Sequence, residues 1–162
     1  MLGGMRLRPA TAADRPLLLA CTVEAVNWTG EDRADPTDPL LTTYVTGFPD
    51  RPGDAGIVAE DDDGPLGAAW LRLLPGGWGH VADDVPELSL AVLPRGRGRG
   101  VGSALLAGIL ADPPRVSLSV EDGNDRARGM YERAGFTVVG RVGGSDTMLR
   151  VRDDSPGGTM PR

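Results

Sequence analysis

The sequence predicts an α+β (mixed α/β) fold, one sheet of seven strands with helices interleaved. Three observations point there. First, 162 residues with 40% hydrophobic and 25% charged content give one ordinary globular domain with a core of usual size. Second, the middle of the chain reads as an antiparallel meander, with "GIVAED" and "PLGAAWLRLL" flanking the turn "DDDG". Third, the second half alternates strand-like and helix-like patterns. The expected order is β-α-(α)-β-β-β-α-β-α-β-β.

The elements follow in chain order. "MRLRP" alternates as a first strand does and stops at Pro9. Thr11 with Asp14 three residues on forms a capping box, opening a helix that runs to about Trp28. Gly30 to Gly56 is rich in Pro, Asp and Gly and reads mostly as loop, with a short helix around "PLLTTYV". After the hairpin, "PELSLAV" is the fourth strand. "GSALLAGILA" is a helix with Leu105, Leu106, Ile109 and Leu110 on one stripe. "RVSLSV" is the fifth strand, and "NDRARGMYERAGF" a helix capped by Asn124 and ended by Gly135. "FTVVGRV" and "DTMLRVR" complete the sheet. The domain therefore spans residues 5–152, and the tail 153–162 is expected to be disordered.

Composition narrows the function. A net charge of −6 argues against a nucleic-acid binder, which would carry a basic face. The single cysteine, Cys21, sits in an apolar run and reads as a core residue of a protein from a reducing compartment. One histidine, His80, with no CxxC, HExxH or GxSxG string, leaves no basis for a metal site or a Ser-His-Asp triad. No apolar stretch is long enough to span a bilayer and the N-terminus lacks a signal-peptide core, so no membrane partner and a cytoplasmic location are expected.

The segment "AVLPRGRGRGVGS" at 91–103 carries the chemistry. Its glycines alternate with arginines directly after a strand and directly before a helix. A floppy surface loop would not need an amphipathic helix immediately behind it. A strand, a glycine loop and a helix N-terminus together cradle a phosphate, because the first helical N–H groups lack internal partners and carry partial positive charge. A P-loop is excluded, since all 17 basic residues are arginine and the P-loop lysine is missing. A dinucleotide fingerprint, and with it an oxidoreductase, fits poorly. "LPR" separates the strand from the glycines, and Ser103 stands where the third glycine belongs, although Glu121 lies near the position of a ribose-binding acid.

Arg97-Gly98-Arg99-Gly100-Val101-Gly102 matches the (Gln/Arg)-x-x-Gly-x-(Gly/Ala) motif of the GNAT N-acetyltransferase superfamily, and the Val92-to-Pro94 lead-in is typical of it. "LSVEDGNDRARGMYERAGF" resembles that family's strand-Asn-helix-Tyr-x-x-x-Gly-Phe block, and "RLRPATAAD" its first strand and helix. The resemblance implies a mostly antiparallel sheet of seven strands, splayed between strands four and five. It also implies acetyl-coenzyme A as co-substrate. The pyrophosphate would rest on backbone amides from Gly98 to Ser103, with Val101 and Gly102 between, and the pantetheine arm would pair with Leu90, Ala91 and Val92. Arg97 and Arg99 would add charge.

The resemblance also assigns roles. Asn124 would bond the coenzyme arm and Tyr131 would protonate the leaving thiolate; seven residues apart, both lie on one helix face. Relatives that place a glutamate on strand five contrast with Ser119 here, so Glu87 at the start of strand four is the expected base, against the alternative of an ordinary strand-end acid. Asp83, Asp84 and His80 are its neighbours in sequence. Asn27, Trp28, Tyr44, Trp70 and Arg72 are the expected substrate residues. The expected activity is transfer of acetyl to a primary amine, of a small molecule or a protein N-terminus, by direct attack in a ternary complex. The alternative is a non-catalytic acyl-coenzyme A sensor of the same fold. A homodimer is compatible with this reading.

Overall fold

The computed structural model describes residues 4–152, and the tail expected to be disordered lies outside them. Strands β1 (Arg6–Pro9), β2 (Ala55–Asp61), β3 (Gly64–Arg72), β4 (Glu87–Val92), β5 (Arg115–Glu121), β6 (Thr137–Val142) and β7 (Ser145–Val151) form one sheet in the order β1-β2-β3-β4-β5-β7-β6. Every pairing is antiparallel except β4 with β5. The helices are α1 (Arg15–Val26), α2 (Pro39–Thr42), α3 (Val101–Ile109) and α4 (Asp125–Arg133). The capping box is present: Thr11 N–H donates to Asp14 at 2.7 Å. It opens a single 3₁₀ turn, Ala12–Asp14, and α1 follows, ending at Val26 rather than Trp28.

The sheet carries a core on each face. Leu105, Leu106 and Ile109 of α3 pack with Leu71, Leu118, Phe136 and Met148 on one side. Leu18 and Cys21 of α1 pack with Tyr44, Phe48 and Trp70 on the other. β3 lies between them, sending Ala69 and Leu71 to one core and Ala68 and Trp70 to the other. That two-sided burial explains the unbroken apolar run "LGAAWL", which reads as continuous instead of alternating. β6, at the sheet edge, is exposed along its whole length.

The Pro/Asp/Gly-rich segment before β2 is ordered by one side chain, Arg72. Its guanidinium meets Asp54 through both Nε (3.0 Å) and Nη2 (2.8 Å), and its Nη1 donates to the carbonyls of Thr43 (3.1 Å) and Thr46 (2.6 Å). The guanidinium also lies 5.8 Å from the centre of the Phe48 ring. Both side chains of the ion pair are sealed from solvent, at 1% and 0% exposure. Arg72 is thus withdrawn from the expected substrate group: all its donors toward the segment are committed to holding the chain.

A buried charge that loses its partner keeps its desolvation cost. Asp54→Asn is therefore expected to destabilise the fold by about 3–5 kcal/mol. Urea denaturation checks this; a loss under about 1 kcal/mol would mean that the pair is dispensable.

Candidate active site

β4 and β5 touch at one bridge. Glu87 stands opposite Ser117, whose N–H donates to the Pro86 carbonyl at 3.0 Å, and beyond that point the strands diverge. The loop leading into β4 packs against the split. A Cβ on Gly79 would sit 2.6 Å from the Leu118 carbonyl carbon, so only glycine lets this loop lie against the β5 backbone. The split opens a cleft of about 1180 Å³. Its floor includes Leu90, Ala91 and Val92 of β4 and Ser119 to Glu121 of β5, and its walls come from α1 and α4.

One mouth of the cleft is the glycine-rich loop. Gly96 is there for packing: a Cβ would meet the Leu66 carbonyl at 2.7 Å. Gly98 (φ +76°) and Gly100 (φ +75°) adopt left-handed backbone, which L side chains rarely tolerate. Gly100 is the N-cap of α3 and supplies no side-chain acceptor, so the first-turn N–H groups stay available at the cleft. Gly98, Gly100, Val101, Gly102 and Ser103 all line it.

The arginines of this segment behave differently from the expectation. Arg97 reaches the cleft, but its Nη2 pairs with Glu24 of α1 at 2.8 Å. Arg99 turns away and pairs with Asp61 at 3.0 Å, and Arg95 meets the same carboxylate at 2.8 Å. The cleft-lining arginines without a carboxylate partner among the described residues are Arg126 and Arg133 on α4. Sequence reasoning passed over both, although their spacing of seven, the same as that of Asn124 and Tyr131, was a usable signal.

Asn124 and Tyr131 both line the cleft. The Asn124 Oδ1 caps α4 by accepting from Ala127 N–H at 3.3 Å. Tyr131 is 8% exposed and packs edge-on to Phe136, with ring centres 5.7 Å apart. Its hydroxyl bonds no other group among the described residues, and burial pushes its pKa up to about 12.

Glu87 lies at the closed end of the split, and it is no surface acid. It is 4% exposed; Oε2 accepts from the Tyr44 hydroxyl at 2.8 Å, while Oε1 has no well-formed hydrogen bond. Burial raises its pKa above the ordinary carboxylate range, opposed by the Tyr44 hydroxyl, the Gly79 N–H and His80. Tyr44 is the hub here. Its hydroxyl also accepts from Trp78 N–H (3.2 Å), and its carbonyl accepts from Trp70 Nε1 (2.9 Å). Trp70 is consequently 1% exposed and mostly core. Trp78, not anticipated from the sequence, is 42% exposed with its ring 6.1 Å from that of Tyr44.

Trp28 lines the cleft and donates through Nε1 to Glu121 at 2.6 Å, beside the Arg33–Glu121 ion pair at 2.8 Å. Asn27 does not reach the cleft. Its Oδ1 accepts from Arg33 and Ala34 N–H at 2.7 and 2.9 Å, which orders the loop after α1. Asp83 and Asp84 are spent on His80 and Arg115. Cys21 is fully buried, and burial pushes its thiol up to about 12. Among the described residues no group of side chains suits a metal ion, and no helix is long and apolar enough to cross a membrane.

A seven-stranded sheet split between two parallel central strands, with a glycine-rich helix N-terminus at the mouth of the split, is the architecture that the sequence's family resemblance implied. Residues 22–136 match the model of the acetyltransferase (GNAT) family, and the chain belongs to that family. It is 34% identical over 145 residues to the mycothiol acetyltransferase of Beutenbergia cavernae, covering 85% of this chain and 46% of that protein. Likewise it is 34% identical over 130 residues to the mycothiol acetyltransferase of Propionibacterium freudenreichii subsp. shermanii, covering 66% and 42%. The chain thus spans under half the length of these curated relatives. Among solved structures, a putative acetyltransferase from Salmonella typhimurium with its cofactor acetyl-CoA superposes with a TM-score of 0.67 at 21% identity, over 94% of this chain and 96% of that one. The GNAT domain of S. lividans PAT gives 0.68 at 21% identity, over 91% and 90%.

A raised native pKa at Glu87 has a definite linkage sign. The folded protein holds this proton to higher pH than the unfolded chain, so stability is fully present below the ordinary carboxylate range and falls as pH rises through the raised value. Glu87→Gln, which keeps an acceptor for Tyr44, is expected to be more stable than the parent at neutral pH. That advantage should shrink toward about pH 4 in denaturation series. A pH-independent difference would contradict the burial assignment.

Proposed function

We propose that the protein is an N-acetyltransferase that moves acetyl from acetyl-coenzyme A to a primary amine by direct attack within a ternary complex. One observation carries this reading: a single cleft joins an open helix N-terminus, a nearly buried tyrosine whose hydroxyl bonds no other group among the described residues, and a desolvated carboxylate. Acetyl-coenzyme A supplies an activated acyl group as a thioester. The first-turn N–H groups of α3, opened by Gly98 and Gly100, fit its pyrophosphate, and Arg126 and Arg133, without a carboxylate partner among the described residues, add positive charge on the same cleft. The β4 edge at Leu90–Val92, diverging from β5, can pair with the extended pantetheine arm as a further strand would. A β4 amide there is suited to polarise the thioester carbonyl.

Tyr131 holds the proton for the departing sulfur. A phenol pushed to about 12 is a weak donor to a thiolate in water, where a thiol sits near 8.5. Excluding water from the cleft disfavours the thiolate as it disfavours the phenolate, which narrows the gap between the two. Glu87 takes a proton from the acceptor's ammonium through water, and the neutral amine then attacks the thioester carbonyl. Its raised affinity for a proton makes it a stronger base than a surface acid, and its buried Oε1 has no well-formed hydrogen bond among the described residues. Trp78, Tyr44 and Trp28 offer rings and polar atoms to the acceptor. Likeness to two mycothiol acetyltransferases supports a small-molecule acceptor.

Calorimetry with acetyl-coenzyme A, followed by thiol release with a panel of amines, tests the activity. Gly100→Glu places both a strained backbone and a negative charge at the cradle and is expected to weaken coenzyme A binding at least about tenfold, with the fold retained. Unchanged affinity would refute the phosphate assignment. Tyr131→Phe keeps the ring and removes the donor. Both kcat and kcat/KM should fall by about 10²–10⁴ while coenzyme A affinity holds, whereas a purely packing role predicts near-normal turnover.

A further inference from the structure

The glycine-rich loop has no steric wall where its shape matters most. A Cβ placed on Gly98 or Gly100 would meet nothing within 4 Å, so no side-chain packing enforces either left-handed residue. What grips the segment is charge. Asp61, the last residue of β2, accepts Arg95 Nη2 on Oδ1 at 2.8 Å and Arg99 Nη2 on Oδ2 at 3.0 Å. Oδ1 also accepts the Asp63 N–H at 2.9 Å, which fixes the carboxylate on its own turn. Arg95 donates further to the carbonyls of Gly64 and Pro65, at 3.1 and 2.9 Å. The Asp61 side chain is 8% exposed, whereas its neighbour Asp62 is 74% exposed and meets Arg6. Of the acids in "EDDD", Asp61 is turned inward, and it takes Arg95, ahead of the cradle, and Arg99, within it.

We infer that Asp61 is a positioning residue that presets the loop's backbone for the coenzyme's pyrophosphate, through Arg95 and Arg99. The inference rests on the reading of this loop as the pyrophosphate site. The physical reason is entropy. Two left-handed glycines one residue apart sample many conformations when free, and a ligand that must order them loses affinity accordingly. Anchoring Arg95 ahead of Gly96 and Arg99 between Gly98 and Gly100 removes most of that freedom beforehand. The clamp is less solvated than the Arg97–Glu24 pair on the other side: Arg95 and Arg99 are 38% and 40% exposed on a carboxylate at 8%, against 56% and 31%, so salt screens it less. The carboxyl is held down at about 2 by its two arginines, so the clamp stays charged through the working range of pH.

The test compares Asp61→Asn with Asp62→Asn as the exposed neighbour control. Asp61→Asn is expected to raise the Kd for coenzyme A and the KM for acetyl-coenzyme A about tenfold, leaving kcat and the acceptor KM within about twofold. In the coenzyme-free protein it should speed amide hydrogen exchange over residues 96–103 and leave β3 and β5 unchanged. Asp62→Asn should do neither. If Asp61→Asn does not fold, Arg99→Gln breaks the same pair from its exposed end and should give the same split in smaller measure. A coenzyme A affinity within about twofold of the parent, or unchanged exchange in the loop, overturns the inference. Should the parent protein bind no coenzyme A, the pyrophosphate reading falls instead, and loop exchange alone then decides whether Asp61 is a clamp.

Discussion

Two parallel strands that meet at one residue and then separate set the geometry of everything around them. β4 and β5 run in the same direction and bridge at Glu87 and Ser117, near the start of one and the middle of the other. They therefore diverge toward their C-terminal ends. α3 leaves from the end of β4 and α4 follows the end of β5, so both helix N-termini arrive at the open mouth. The closed end holds the buried Glu87. Backbone groups facing the gap forgo ladder partners, an expensive arrangement in the middle of a sheet, and an extended ligand arm is the natural complement to them.

The closed end is held from behind by a chain of contacts that begins far from the cleft. Asp54 fixes Arg72, Arg72 takes the carbonyls of Thr43 and Thr46, and these flank Tyr44, whose hydroxyl reaches Glu87. A carboxylate kept out of water costs stability, and this scaffold supplies the rigidity that keeps it there. The open end is braced by charge in the same spirit: Asp61 draws Arg95 and Arg99 away from the cleft, and Glu24 holds Arg97 at its wall. Apart from Arg97, the arginine-rich loop consequently presents backbone to the cleft.

Much of this was legible in the sequence because it follows from local chemistry. The capping box at Thr11, the hairpin across "DDDG", the glycine segment ahead of α3 and the spacing of Asn124 and Tyr131 all report conformations set within a few residues. What was not legible depends on tertiary partners. Arg72 and Trp70 share β3 with the core, and only the fold reveals that Asp54 and the Tyr44 carbonyl claim them. Arg99 and Asn27 carry the right chemistry for ligand contact, yet local acids and N–H groups take them first. The burial of Glu87 was hidden because strand-start acids are usually solvated. Trp78 was hidden because nothing in "PGGWGH" indicates that Tyr44 will anchor it.

The central claim is that the diverging edge of β4 and the first turn of α3 form one slot for acetyl-coenzyme A. Amide hydrogen exchange with and without acetyl-coenzyme A tests this most directly. Residues 89–92 and 98–103 are expected to gain protection together on addition of the coenzyme, with β2 and β6 unchanged. Protection of the loop without β4, or of neither, would contradict the account.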